Sequence, residues 1–364
     1  MKLGRSLTDL AKEIERQRDS KVDLLAPTKR LRMVINNGEP QMAIGDDRVH
    51  GIRKLGHEQL GTALSIPRQY YDRMAAERPT LLATNVNDWM HSSDDKKLVR
   101  ILDNNMRAFL SDRFRTLDNF DFMEAALPSL LGSGAEIVSC EVTERRLYIK
   151  AVDKKAQREV QLKTGHKIGD GSHAFYKDIV CPAIVLSNSE VGAGSLSVQA
   201  SVYTEGCTNM CVQKESSVRK YHVGARQEMG DEAYRMLSDK TRKLTDAATW
   251  AQIGDIVSGA FNATKFDAYV TKLTAATEVK MEGDPAKIIE VTGKRYGMTE
   301  AERTSVMRHL IEGGDLSKYG LHSAVTRAAQ DLEDYDRATD FEKVGGEIIE
   351  LGAGEWKEIL KHAA

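Results

Sequence analysis

The spacing of apolar positions changes several times along the chain, and each change predicts an element. Residues 6–19 place Leu7, Leu10, Ala11 and Ile14 at helical spacing, opposite Lys12, Glu13, Glu15, Arg16 and Arg18. Ser6 supplies an N-capping oxygen. The apolar stripe of so short a helix must dock, either on the chain's own body or on a neighbouring subunit. From Pro27 the period shortens, and Leu31, Met33 and Ile35 alternate with polar residues as in a strand. Residues 57–78 return to helical spacing with a break near Pro67, whose fixed φ suits the first turn of a second helix. Two helices about a Pro turn also fit a helix-turn-helix, although the second helix is not notably basic. From Asn119 the spacing is again helical.

The middle of the chain predicts β structure. Residues 135–155 read as a hairpin turning near Glu144 and Arg145, with Leu147, Ile149 and Ala151 alternating with Tyr148, Lys150 and Val152. Residues 175–190 read as a buried strand or strand pair. Residues 195–204 carry Leu196, Val198, Ala200 and Val202 on one face and Ser195, Ser197, Gln199, Ser201 and Tyr203 on the other, the pattern of a half-buried strand. After Ala225 helical spacing dominates. One helix is capped by Thr299 and stopped at Gly313 and Gly314, and another carries a Gly-Gly break at residues 345 and 346. The expected fold is α+β, a central mostly antiparallel sheet flanked by helices with a helical C-terminal region. Its parts are an N-terminal helix or arm over 1–26, an α+β core over 27–225, and a helical region over 226–364 packed on that core.

Composition bounds the function. At 364 residues, 41% hydrophobic and 29% charged, the chain can bury a large core, but with 6% aromatic residues that core must be mainly aliphatic. A net charge of -2 argues against a uniformly basic nucleic-acid binder and leaves room for a basic groove on a neutral body. Four cysteines are too few for a disulfide scaffold. The first 21 residues lack the apolar core of a secretory signal. No run approaches the roughly 20 apolar residues that span a bilayer. A cytoplasmic protein with no membrane partner is expected.

Catalytic signatures are weak. Cys207 and Cys211, with Cys140, Cys181, His166, His173 and His222 elsewhere, lack zinc-ribbon spacing and read more simply as packing thiols. Residues 165–175, GHKIGDGSHAF, contain no phosphate-binding Gly-Lys-Ser/Thr sequence and read as a hairpin tip. Asp331, Asp334 and Asp336 would suit a metal-dependent nuclease, but a solvated helix face explains them with less. No cofactor is called for.

The distribution of basic residues says more. Between 142 and 168, eight Lys and Arg, among them Arg145, Arg146 and Lys150, face three acidic residues. Between 213 and 226, Lys214, Arg219, Lys220, His222 and Arg226 are opposed only by Glu215, with Tyr221 interleaved. Arg107, Arg113 and Arg115 precede the helix at Asn119, with Phe114 between two of them. Cations that hold phosphates beside rings that stack on bases suit a single-strand groove.

Four stretches, LSIPRQYYDRM, MRAFLSDRFRTLDNFDFMEAAL, LSNSEVGAGSLSVQASVYTEGCTNMCV and GLHSAVTRAAQDLEDYDRATDFEKVGGEII, together resemble the phage/plasmid-like family of domain of unknown function 932. The resemblance runs from about residue 20 to near the C-terminus. It places the family's boxes at Ser111 to Phe114, at Asn188, Ser189 and Glu190, at Cys207 and Asn209, and at Arg219 to His222. Glu190 stands where the family commonly has His, and the basic box is Arg-Lys-Tyr-His. The resemblance implies a product of a phage, plasmid or other mobile element in a bacterial host, and no catalytic residue. The leading expectation is a homo-oligomeric protein that binds or anneals single-stranded DNA in replication or recombination. A metal-dependent enzyme using Asp170 and His173, and a structural protein that binds no nucleic acid, are the alternatives.

Overall fold

A computed structural model describes residues 1–45, 48–167, 173–205, 208–220 and 239–363. Helix α1 spans Leu7–Ser20, and the Ser6 hydroxyl accepts from the Asp9 amide as its cap. Leu10 and Ile14 are buried against α5 (Asn119–Gly132) and β7 (Glu136–Val142), so α1 docks on its own chain.

The fold is α+β, and its strands form two mostly antiparallel sheets rather than one. The first is built from β1 (Lys21–Pro27), β2 (Leu31–Asn36), β3 (Glu39–Ile44), β4 (Arg48–Ile52), β5 (Lys96–Leu102) and β6 (Asn105–Ser111). Their order is β1-β5-β6-β4-β3-β2, and only the β4–β6 pair is parallel. Residues 21–26, expected in the arm, form most of the edge strand β1. Two tight turns hold both central residues at positive φ, Asn37 and Gly38 between β2 and β3, and Asp103 and Asn104 between β5 and β6. That geometry matches the right-handed twist of the strands it joins. Helices α2 (Lys54–Ala63), α3 (Arg68–Glu77) and α4 (Pro79–His91) cover this sheet, with Leu31, Met33, Leu60, Tyr71, Leu82 and Phe109 in the core between them. The break expected near Pro67 separates α2 from α3.

The second sheet has the order β12-β11-β10-β8-β7. Its members besides β7 are β8 (Leu147–Val152), β9 (Arg158–Lys167), β10 (His173–Asn188), β11 (Leu196–Thr204) and β12 (Asn209–Lys220). Strands β8 and β9 lie end to end along one side of β10. The tip of the 165–175 hairpin, Asp170 included, lies outside the described residues. Helices cover both faces of this sheet. Leu10, Phe122, Leu130, Ile149, Ile184 and Leu186 form one core with α1, α5 and α6 (Asp239–Ser258). On the other side Tyr148, Val185 and Val212 meet Tyr335 of α11 (Tyr335–Glu350). All of β8 and every residue of β11 except Ala200 are buried. The polar face of β11 is therefore covered too, and not half-solvated as its alternation predicts.

Four further helices complete the C-terminal region, α7 (Ala263–Glu278), α8 (Pro285–Arg295), α9 (Glu300–Gly313) and α10 (Lys318–Ala328), with α12 (Ala353–Ala363) after α11. The boundary expected at 225–226 lies outside the described residues. Thr299 and Glu302 form a capping box on α9, and Gly314 ends it in the left-handed conformation. The break expected at Gly345 and Gly346 does not occur, and α11 runs through both. A Cβ on Gly346 would stand 1.9 Å from the Val212 carbonyl oxygen, and one on Gly345 would stand 2.3 Å from Thr326 Cγ2. The glycines let α11 lie directly on β12 and α10.

Two histidines make stability depend on pH. Burial pushes His57 and His322 down to about 4. His322 is 4% exposed and its Nδ1 donates to the Gly345 carbonyl oxygen at 2.9 Å. The unfolded chain takes up a proton near pH 6.5 and the folded chain only near 4, so stability falls as pH falls through that window. At pH 5 the loss from His322 alone is about 2 kcal/mol. Urea titrations at pH 7 and pH 5 should show it, and His322→Gln should shrink the difference and leave the part due to His57. An unchanged difference in that variant would refute the assignment.

Candidate nucleic-acid interface

The segment Asn188–Ser189–Glu190 at the end of β10 joins the two sheets. The Asn188 amide donates to the Leu117 carbonyl at 2.8 Å and to Asn119 Oδ1 at 2.8 Å. Ser189 Oγ donates to the Arg145 carbonyl and accepts from the Ala193 amide. Glu190 Oε2 accepts from Arg107 at 2.6 Å, and Oε1 accepts from the Asn119 amide at 2.6 Å. Its carbonyl accepts from Arg100, a wholly buried side chain of β5 that also grips Asp23 and Asp118. Burial opposes the charge of Asp118, but Arg100 and Lys21 outweigh it and hold the carboxyl below its usual pKa. Burial likewise opposes the Arg100 charge, and Asp23 and Asp118 raise its pKa despite that.

Two of the twelve expected contacts are corrected, one by this hub and one by the helix layer over β8. Arg107 is 5% exposed and spends its charge on Glu190, so it cannot reach a phosphate. Lys150 is wholly buried, with Nζ 2.7 Å from Glu342 Oε2 of α11 and 4.7 Å from the Tyr335 ring centre. It faces a helix and not solvent, because β8 is an interior strand covered on both faces. Burial lowers its pKa against the pull of Glu342.

Two other expected residues, Arg145 and Arg146, flank the loop that follows Glu190, and the segment that carries Arg113 and Arg115 packs beside it through Phe114. Arg146 donates to the Ala193 carbonyl, at 3.0 Å from Nε and 2.5 Å from Nη2. Arg145 pairs with Glu58 of α2, which also stands 3.6 Å from Arg68. A Cβ on Gly192 would lie 3.5 Å from the Phe114 ring, which seats the 112–118 segment against this loop. Arg113 in that segment is exposed, and Arg115 lies 3.4 Å from Thr249 of α6. Strand β12 ends at the same place, with Arg219 opposite Ser197 and Lys220 opposite Leu196. For Lys214, Arg219 and Lys220 only the backbone position is described. Tyr221, His222 and Arg226 lie outside the described residues.

The side chains of Asp170 and His173, on which the metal-dependent alternative rests, lie outside the described residues. Burial raises the thiols of Cys140, Cys181 and Cys211 to about 12, which leaves them protonated and poorly nucleophilic. Cys207 is outside the described residues. Asp334 caps α11, Asp336 accepts from Tyr148, and Asp331 accepts from Ser305, Arg308 and His309. Among the described residues no group of three or more His, Cys, Asp or Glu is placed to hold a metal ion. No helix among them is long and apolar enough to cross a membrane.

Comparison with family models, curated proteins and solved structures finds no match. The resemblance to the phage/plasmid-like family therefore rests on its quoted motifs. Within the fold two of those motifs meet directly. Arg107 belongs to the MRAFLS stretch, and Glu190, one of the two departures from the family pattern, is the carboxylate that neutralises it. The sequence reading missed this role, although both residues sit in stretches it singled out.

Proposed function

We propose that the chain is a single-stranded nucleic-acid-binding protein, a product of a phage, plasmid or other mobile element acting in the cytoplasm of a bacterial host. The observation that carries the reading is the gathering of Arg113, Arg115, Arg145 and Arg146 with the end of β12 at one end of the second sheet. The partners of Arg145 and Arg146 are a carboxylate that is 25% exposed and a carbonyl. A phosphate competes well with such partners, because it offers charge-assisted and bidentate hydrogen bonds. Self-association of copies would use the edge strand β1, where Val22 and Leu25 are exposed.

The test is fluorescence anisotropy of a labelled single-stranded oligonucleotide across a salt series. Affinity should fall steeply with salt, with a log–log slope of about -0.7 per phosphate contacted. The double variant Arg113→Ala/Arg145→Ala should weaken binding alike for all sequences and flatten that slope by about 1.4. Absence of binding at low salt, or a slope untouched by the double variant, would overturn the reading.

A further inference from the structure

A cavity of about 600 Å³ opens on the first sheet, between the turn that joins α2 to α3 and the C-terminal end of α4. Ile66 and Met90 form part of its buried apolar wall, while Tyr70 and Trp89 line it with rings 47% and 56% exposed. Rings of that size left in water are costly unless something covers them. The wall also contains Asn85, whose Oδ1 is shielded from solvent and has no hydrogen-bond partner, and rotation of the side-chain amide would turn it toward the cavity. A buried amide oxygen without a partner is destabilising, and a ligand with a polar edge would relieve it. Lys97 stands at the side, with Asp95 3.6 Å from its Nζ.

The cavity borders the cationic end described above. Lys97 is the cross-strand partner of Ser111, which leads straight into Arg113 and Phe114. On the other side Pro67 is followed by Arg68, which shares Glu58 with Arg145. A strand lying on the arginines thus passes within reach of two exposed rings and an amide.

We propose that this cavity accepts one unstacked nucleobase. Tyr70 and Trp89 supply the stacking faces, Asn85 meets the hydrogen-bonding edge of the base, and Lys97 lies beside its phosphate. A planar ring with polar edge atoms fits these groups together, whereas an aliphatic ligand would leave the amide unpaired. Stacking is tolerant of base identity, since every base has a π-face. The inference rests on the nucleic-acid reading, and a base can reach the cavity from a strand or from a free nucleotide.

Three ligands separate these cases: a single-stranded oligonucleotide, an oligonucleotide of the same length made of abasic sites, and a 5′-mononucleotide. Trp89→Ala and Tyr70→Ala should each weaken the base-bearing strand on the order of tenfold without changing the salt slope. Trp89→Phe should restore most of the loss. The abasic strand should bind the wild type and Trp89→Ala equally. Both rings are exposed, so their removal leaves the fold intact. Equal affinity of wild type and both alanine variants for the base-bearing strand would overturn the base site and leave the cationic surface standing. A mononucleotide that quenches tryptophan fluorescence in the wild type but not in Trp89→Ala, with no strand bound at low salt, would overturn the strand reading and uphold the cavity as a nucleotide site. Failure of all three ligands to bind would overturn both.

Discussion

Lys150→Met will destabilise the protein by about 3–5 kcal/mol, the usual cost of removing one partner of a buried ion pair. Neither Lys150 nor Glu342 touches solvent, and they are 2.7 Å apart. Glu342 Oε1 already lacks a partner, so the variant leaves a buried carboxylate with neither oxygen satisfied. The strand and helix involved, β8 and α11, form the seam between the second sheet and the C-terminal helices, so the damage would spread across both. Chemical denaturation should show a lower midpoint for Lys150→Met and for Glu342→Leu singly. The double variant should recover much of the loss, because paired apolar replacements of a buried ion pair are often neutral. Two single losses that simply add in the double variant would show that the pair is not coupled. Oligonucleotide affinity per folded molecule should not change, which separates Lys150 from the arginines at the surface.

That contrast shows what a single sequence can and cannot reveal. Local signals were read correctly. Ser6 caps α1, Pro67 separates two helices, Thr299 opens α9 and Gly314 closes it. Each depends on residues within a few positions of one another. The partition into two sheets depends on the parallel contact of Gly51 with Asn105 and Ile52 with Met106, which no local pattern announces. Arg107 and Lys150 look like surface cations because their carboxylates are 83 and 192 residues away in sequence. The polar side of β11 looks solvated because alternation does not report that a second layer of helices lies over it. Two local signals were available and unused: Asn37-Gly38 and Asp103-Asn104, each between alternating apolar runs, are strong hairpin turns. Reading them would have delivered the hairpins β2–β3 and β5–β6. For the interface, burial removes two members of the set that the charge pattern singled out.

Glu190→Ala should cost a similar amount, about 3–5 kcal/mol, for a different reason. The group left behind is an arginine, which cannot escape burial by losing its proton. Arg107 Nε has no partner even in the wild type, so Glu190 Oε2 is the acceptor that the guanidinium depends on. The same substitution strips the Asn119 amide at the start of α5 of its acceptor. Glu190→Gln tests the two contributions separately. It keeps an oxygen for Asn119 and removes the charge opposite Arg107, so it should fall between wild type and Glu190→Ala. Arg107→Met in the Glu190→Gln background should restore stability, since the uncompensated charge is then gone. The hub also positions the loop on which Arg146 and the 112–118 segment rest. Below its shifted denaturation midpoint, Glu190→Ala should therefore bind single strands more weakly than Lys150→Met does. Equal binding by these two variants when both are folded would show that the hub stabilises the fold without organising the cationic end.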